Sequence, residues 1–259
     1  MKPLAELERS EAIALDGLLF DLDDTLLDHG RLTERAYSGL FRLREAGLKL
    51  HIVTGRPLGW VRLLARLFPV DGGVAENGGA LVGPGGAEVT TVPGRERAER
   101  RRRLTELVRE IRTSFPELEP PDDVGERLTD YTFDIGERRK VPVELTQRVT
   151  AFAREHGATV HVSSVHLHVG YDAVDKASGA VRLLELLHGT DATRALSRHA
   201  FIGDSENDAA CFGAFHTTIG VANLRGRPTL GPRFLTKSPR GEGFAELSRV
   251  LGALRASAE

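Results

Sequence analysis

Four short stretches hold the residue types that phosphoryl transfer needs: Asp21-Leu-Asp-Asp24, Thr54-Gly-Arg56, Lys176 within Asp175-Lys-Ala-Ser178, and Gly203-Asp-Ser-Glu-Asn-Asp208. A carboxylate can attack phosphorus, a hard divalent cation held by oxygens can offset charge, and a lysine with hydroxyls can hold the equatorial oxygens. Taken singly, each stretch has an ordinary explanation. An isolated Asp-x-Asp is a solvated turn, Thr54-Gly-Arg56 is a strand-to-helix turn, and Lys176 is an exposed lysine. Their combination argues otherwise. Apolar Gly17-Leu-Leu-Phe20 precedes the first and Thr25-Leu-Leu27 follows it, and the glycine-led turn at 203–208 carries three acids and an amide, a composition suited to a bound cation.

The elements that must hold these stretches alternate in type. Gly17–Phe20 reads as a buried strand, Leu32–Glu45 as an amphipathic helix stopped by Gly47, Leu48–Val53 as a strand, Trp60–Phe68 as a helix and Gly73–Glu76 as a strand. The pattern resumes with a helix at Ala177–Leu187, a strand at Ala200–Gly203, a helix near Asn207–Phe212 and a strand at Thr217–Val221. Such alternation predicts an α/β fold, a Rossmann-like parallel sheet with helices on both faces and right-handed crossovers. In that fold the carboxyl ends of the strands line one crevice, which gathers the four stretches. Residues 82–173 break the rhythm: a turn at Gly83–Gly86, a long charged helix at Arg95–Ser114, a strand at Tyr131–Ile135, a helix at Glu144–His156, then strands at Thr159–Ser163 and Val165–Tyr171. The segment is too long for a simple crossover, so it is expected to be an inserted α+β domain on a core of residues 1–81 and 174–259.

In these motifs, in their order and in their place at strand ends, the chain resembles the haloacid dehalogenase superfamily. Glu76-Asn-Gly78, ahead of the inserted segment, resembles the subgroup with an α+β cap in that position, to which Cof-type sugar phosphatases belong. The resemblance implies that Asp21 is the nucleophile and that Asp23 is the acid for the leaving alkoxide and then the base for water. It implies Mg²⁺ held by Asp21, the backbone carbonyl of Asp23 and Asp204, with Asp208 as a further ligand or an acceptor behind them. Phosphate contacts would come from Thr54, the amide of Gly55, Lys176 and Asn207. Asp24 stands where the family often has glycine and is given no role.

In the insert, period-two alternation puts His161, Ser163, His166 and His168 on one face of two strands, with Thr132 and Asp134 on the same face of a third. This polar face is expected to roof the site, with His166, His168 and Arg56 touching the non-phosphate part of the substrate. The roof histidines lack the further ligands that zinc requires.

A formal net charge of −2 gives no basic field for nucleic acid or anionic lipid. Arginines 100–103 are interleaved with Glu96, Glu99 and Glu106 and lack aromatic neighbours, as in a solvated helix. Gly78–Gly86 reads as turns rather than a nucleotide loop. No apolar run reaches the length of a membrane span, the first residues are too charged for a signal peptide, and the single cysteine, Cys211, excludes an intrachain disulfide. The expectation is a cytoplasmic, Mg²⁺-dependent phosphatase of a small phosphate ester such as a phosphosugar or phosphoglycerate derivative, monomeric or homodimeric. The competing readings are a sugar phosphomutase, which would not release inorganic phosphate, and a non-catalytic sugar-phosphate-binding protein, for which an acid beside a nucleophile has no use.

Overall fold

A computed structural model describes residues 1–89, 93–163, 165–224 and 228–256. The strands are β1 (Lys2–Pro3), β2 (Gly17–Phe20), β3 (Leu27–Asp28), β4 (Arg31–Leu32), β5 (Lys49–Val53), β6 (Gly72–Ala75), β7 (Ala80–Val82), β8 (Glu88–Val89), β9 (Asp130–Asp134), β10 (Thr159–Val162), β11 (His166–Gly170), β12 (His199–Gly203), β13 (Thr217–Gly220) and β14 (Phe234–Leu235). The helices are α1 (Arg9–Ala14), α2 (Glu34–Glu45), α3 (Leu58–Leu67), α4 (Gly94–Ser114), α5 (Val143–Glu155), α6 (Lys176–His188), α7 (Ala192–Arg198), α8 (Ala209–Ala214) and α9 (Arg240–Arg255).

Nine strands form one sheet in the order β1-β14-β13-β12-β2-β5-β6-β7-β8, parallel up to β6 and antiparallel through β7 and β8. Alternation along the strands sorts the core into two layers. Leu18, Phe20, Leu50, Ile52, Ala200 and Ile202 join the cluster that packs on α2, α3 and α9, whereas Leu19, Val53 and Phe201 join the cluster beneath α6, α7 and α8. Helices therefore cover both faces, as the alternating sequence requires.

Local chemistry sets the ends of these helices. Thr33 caps α2 by accepting from the Ala36 amide at 3.3 Å, so the helix starts at Glu34 and Leu32 instead pairs with Leu27 across the β3–β4 hairpin. Asp175 caps α6 in a reciprocal pairing with Ser178, and Gly189 closes that helix in the left-handed conformation.

The second sheet, β10-β11-β9, is antiparallel, with His161 opposite His168, His168 opposite Thr132, and His166 opposite Asp134. The predicted polar face is thus aligned across its strands. Its other face, with Phe133, Leu167 and Val169, packs on α4 and α5 in a cluster separate from the main core. The main sheet continues into the expected insert, because the glycine turn after Val82 folds β8 back along β7. The sequence reading left α1, α7, β14 and α9 unassigned. Among the described residues no helix is long and apolar enough to cross a membrane.

Candidate active site

Asp21 follows β2 directly, and its amide donates to the Ile202 carbonyl of β12 at 3.0 Å, so the residue keeps the strand's register as it leaves the sheet. Thr54 and Asp204 leave β5 and β12 in the same way. Parallel neighbouring strands thus end side by side, and α6 brings Lys176 to the same place from its first turn.

Lys176 is buried, and its Nζ donates to Asp21 Oδ1 and Asp208 Oδ1, both at 2.7 Å. The second oxygen of Asp208 accepts from the amides of Asp204 and Ser205 at 2.9 and 3.1 Å. Asp208 is therefore committed to its neighbours, which suits it to orient Asp204 and Lys176 rather than to offer a free ligand oxygen. Asp204 Oδ2, by contrast, is buried without a partner. Carboxylate oxygens of Asp21, Asp204 and Asp208 lie within 4.8 Å of one another.

Three buried carboxylates against one ammonium leave an excess of negative charge. Burial, opposed by Lys176 and reinforced by Asp208 and Asp23, pushes Asp21 up to about 7. Burial, then the charges of Asp21 and Asp208, push Asp204 up to about 9. Lys176 is held above the ordinary lysine range because its two acid partners outweigh its burial. An orphaned acid oxygen among crowded hard donors is what an oxygen-seeking divalent cation fits, so the residues present accommodate Mg²⁺.

The loop after Asp21 turns sharply, with Asp24 in the left-handed region at φ 56°. Glycine takes that conformation freely, and a short polar side chain is the next best occupant. Asp24 is fastened there: its Oδ1 accepts from Arg240 Nε at 3.1 Å and its carbonyl from Asn223 Nδ2 at 2.9 Å.

Asp23 lies on the same cavity as Asp21, and Arg56 occupies both of its oxygens, Nε to Oδ2 at 2.8 Å and Nη2 to Oδ1 at 2.9 Å. The same guanidinium donates to Glu137 Oε1 at 2.8 Å and stacks on Trp60 at 4.6 Å. Thr54 Oγ1 accepts from the Arg56 amide at 3.1 Å, which leaves its hydroxyl proton to donate elsewhere. A Cβ on Gly55 would stand 3.1 Å from His168 Cε1 and 3.2 Å from the Asn77 amide group, so a larger residue here would press the roof side chains back by a few tenths of an ångström. Asn207 reaches Asn77 Oδ1 at 3.4 Å and accepts from Ser205 Oγ at 2.7 Å.

Overhead, β11 presents His166 and His168. A cavity is lined by both, by Ser163 and Val165, and by Asp21, Asp23, Thr54, Gly55, Asp204, Ser205 and Asn207. His166 Nε2 lies 2.8 Å from Glu137 Oε2, and His168 donates from Nδ1 to Asp130 at 3.0 Å. Burial drives His168 down to about 3, so its ring is neutral. Asp134 departs from the expected roof role. Its oxygens accept from the amides of Gly136, Glu137 and Arg138, folding the loop that carries Glu137.

Two charged groups around the cavity, Glu137 and Arg127, carry no signal in the motifs, and Glu76, legible there only as part of Glu76-Asn-Gly78, joins them. Glu137 holds Arg56 and His166 together, Arg127 pairs with Asp130 at 2.8 Å and reaches the Gly55 carbonyl at 3.1 Å, and buried Glu76 accepts from the amides of Leu58, Leu128 and Thr129. The Asp134-Ile-Gly-Glu137 order, an Asx-turn pattern, was the available signal for the first.

A family profile described as haloacid dehalogenase-like hydrolase matches residues 18–92. The phosphoglycolate phosphatase of Methanococcoides burtonii is 27% identical, over 90% of this chain and 95% of its own. Among solved structures, protein 0175 of Thermoplasma acidophilum superposes with a TM-score of 0.73 at 18% identity, covering 92% of this chain and 98% of that one. The sucrose-phosphatase of Synechocystis superposes with a TM-score of 0.63 at 16% identity, covering 92% and 98%.

Proposed function

We propose that the chain is a haloacid dehalogenase-like hydrolase of the Cof type, a phosphatase that hydrolyses a small phosphate ester through an aspartyl-phosphate on Asp21. The observation that carries this reading is the buried set Asp21, Asp204, Asp208 and Lys176 at neighbouring strand ends. Asp21, Asp204 and the carbonyl of Asp23 would hold Mg²⁺, with Asp208 behind them. When bound, the ion supplies positive charge that lets the Asp21 carboxylate approach a phosphoryl dianion.

The chain's own groups do the rest. Asp21 attacks phosphorus in line, Lys176 and Thr54 hold equatorial oxygens, and Asp23 gives a proton to the departing alkoxide. Arg56 must release one Asp23 oxygen for that transfer. Water, deprotonated by Asp23, then opens the acyl phosphate and frees Asp21. Residues from the end of β8 to Ala173 form the cap, whose polar face reads the leaving group through His166 and His168. We take the ester to be a short phosphosugar, phosphoglycerate or phosphoglycolate; the last is the ester in the name of the relative from Methanococcoides burtonii. We place the enzyme in the cytoplasm, where buried Cys211 stays a thiol.

The test is inorganic phosphate release from a panel of such esters with Mg²⁺. Asp21→Asn should lower turnover by on the order of 10⁴-fold or more. Turnover that survives this substitution, or transfer of phosphate between sugars without its release, would refute the reading.

A further inference from the structure

The opposite end of the central sheet holds three histidines that the phosphatase reading does not use. His51 on β5, His199 at the start of β12 and His188 at the end of α6 meet on the face covered by α6 and α7. The register explains how they approach. His199 is opposite Gly17, and Gly17 is opposite Lys49, two residues before His51. A Cβ on Gly17 would stand 2.8 Å from His199 Cδ2 and 2.7 Å from the Lys49 carbonyl oxygen, so the missing side chain on the middle strand makes room for the imidazole.

His51 Nε2 and His188 Nε2 share an N–H···N hydrogen bond at 3.0 Å, and the His51 and His199 ring centroids are 6.3 Å apart. His199 Nδ1 donates to the Ala195 carbonyl at 3.1 Å, which leaves Nε2 as a bare lone pair. That atom and His51 Nδ1 are both buried without a partner. Residues this deeply buried ordinarily satisfy such nitrogens. Burial lowers the pKa of all three rings, His199 to about 4, so at neutral pH they are uncharged, and a metal would replace the proton that His51 and His188 share, which moves to the Nδ1 of its ring.

We propose that His51, His188 and His199 form a binding site for one transition-metal ion of the zinc class. His51 and His188 supply the pair of nitrogens, His199 swings its free Nε2 to them, and water completes the shell. Nitrogens bonded to one tetrahedral zinc stand about 3.3 Å apart for bonds of about 2.0 Å, close to the separation of the existing pair. A solvent-open cavity lined by Asp16, Lys49, His188, Thr190 and His199 gives the ion a route in. Arg194 and Arg198 are engaged by Asp16 and Arg44 by Asp71, which leaves exposed, screened Lys49 and the Arg255 of the cavity wall to oppose the ion. The two ends of the sheet then select by donor type, oxygens for Mg²⁺ at one and imidazoles for zinc at the other. Bound metal would tie α6 to β5 and β12 across β2.

The experiment strips the full-length protein with chelator, restores saturating Mg²⁺ to fill the acid cluster, and titrates Co²⁺ as a visible probe. One further equivalent should bind with the strong visible bands of four-coordinate, nitrogen-ligated cobalt, and Zn²⁺ should displace it. His188→Gln, at a half-buried helix end, should abolish the bands and weaken Zn²⁺ binding at least about tenfold, whereas His166→Gln should leave both unchanged. Absence of the bands from the unaltered protein, or their persistence in His188→Gln, would overturn the proposal.

Discussion

The floor and the roof of the cavity are both rich in buried charge, yet they handle it differently. On the floor, Asp21, Asp204 and Asp208 face one lysine, and an oxygen of Asp204 goes unpartnered. Across the roof and its margins, acids and bases pair directly, Arg56 with Asp23 and Glu137, Glu137 with His166, Arg127 with Asp130, although Nε and Nη2 of Arg127 stay buried without partners. Unbalanced charge is costly to keep buried and persists where a ligand is to neutralise it, whereas paired charge fixes geometry. On the proposed reading, the floor receives the cation and the phosphoryl group, and the paired charges of the roof hold shape around the remainder of the ester.

The contrast is broken most severely at Lys176. Lys176→Met should lower phosphate release by on the order of 10²- to 10³-fold, as loss of a preorganised charge at the reacting group does. Without metal it should also destabilise the fold by about 3–5 kcal/mol, since it strands two buried carboxylates; denaturant titration measures this.

Withdrawing metal sharpens it next. Asp21 and Asp204 have folded pKa values of about 7 and about 9 against an ordinary 3.8. Between those limits the native state binds more protons than the unfolded chain, so stability of the metal-free protein falls as pH rises from about 4 to about 9. Saturating Mg²⁺ should remove that slope by binding the ionised acids, and thermal midpoints across the range with and without the ion decide it.

On the roof the effects should be smaller and selective. Glu137→Gln, which weakens its hold on both Arg56 and His166, should raise KM roughly fivefold, the worth of about 1 kcal/mol, with kcat little changed. His166→Ala should shift preference among natural esters while an artificial aryl phosphate is turned over as before; equal losses on both would deny the roof a part in recognition. The smallest effect belongs outside the cavity. Arg102 pairs with Glu99 and Glu106 on exposed α4, and Arg102→Ala should leave turnover unchanged and confer no change in retention on nucleic acid.

The floor was legible because its residues follow strands whose alternation survives in the sequence, so Asp21, Thr54 and Asp204 could be placed at strand ends by counting. The roof's polar face was legible for the same reason, since His166 and His168 keep the period of two. What brings charges together through loops was not: Glu137 arrives on a turn folded by Asp134, and Arg127 sits in an irregular stretch before β9, where no periodicity says which way a side chain will point. Helix α9 was hidden by its own packing. Gly241 and Gly243 lower its propensity, yet a Cβ on the first would stand 2.9 Å from the Leu26 carbonyl and on the second 2.4 Å from the Ser238 carbonyl, so the residues that disguise the helix are those that let it dock.

That docking reaches the chemistry. The bend that aims Asp21 and Asp23 is pinned from the far end of the chain, through Arg240 and Asn223. Shortening the Arg240 side chain would slacken the bend and lower phosphate release with α9 still docked, so a residue 216 positions downstream governs whether the first motif keeps its aim.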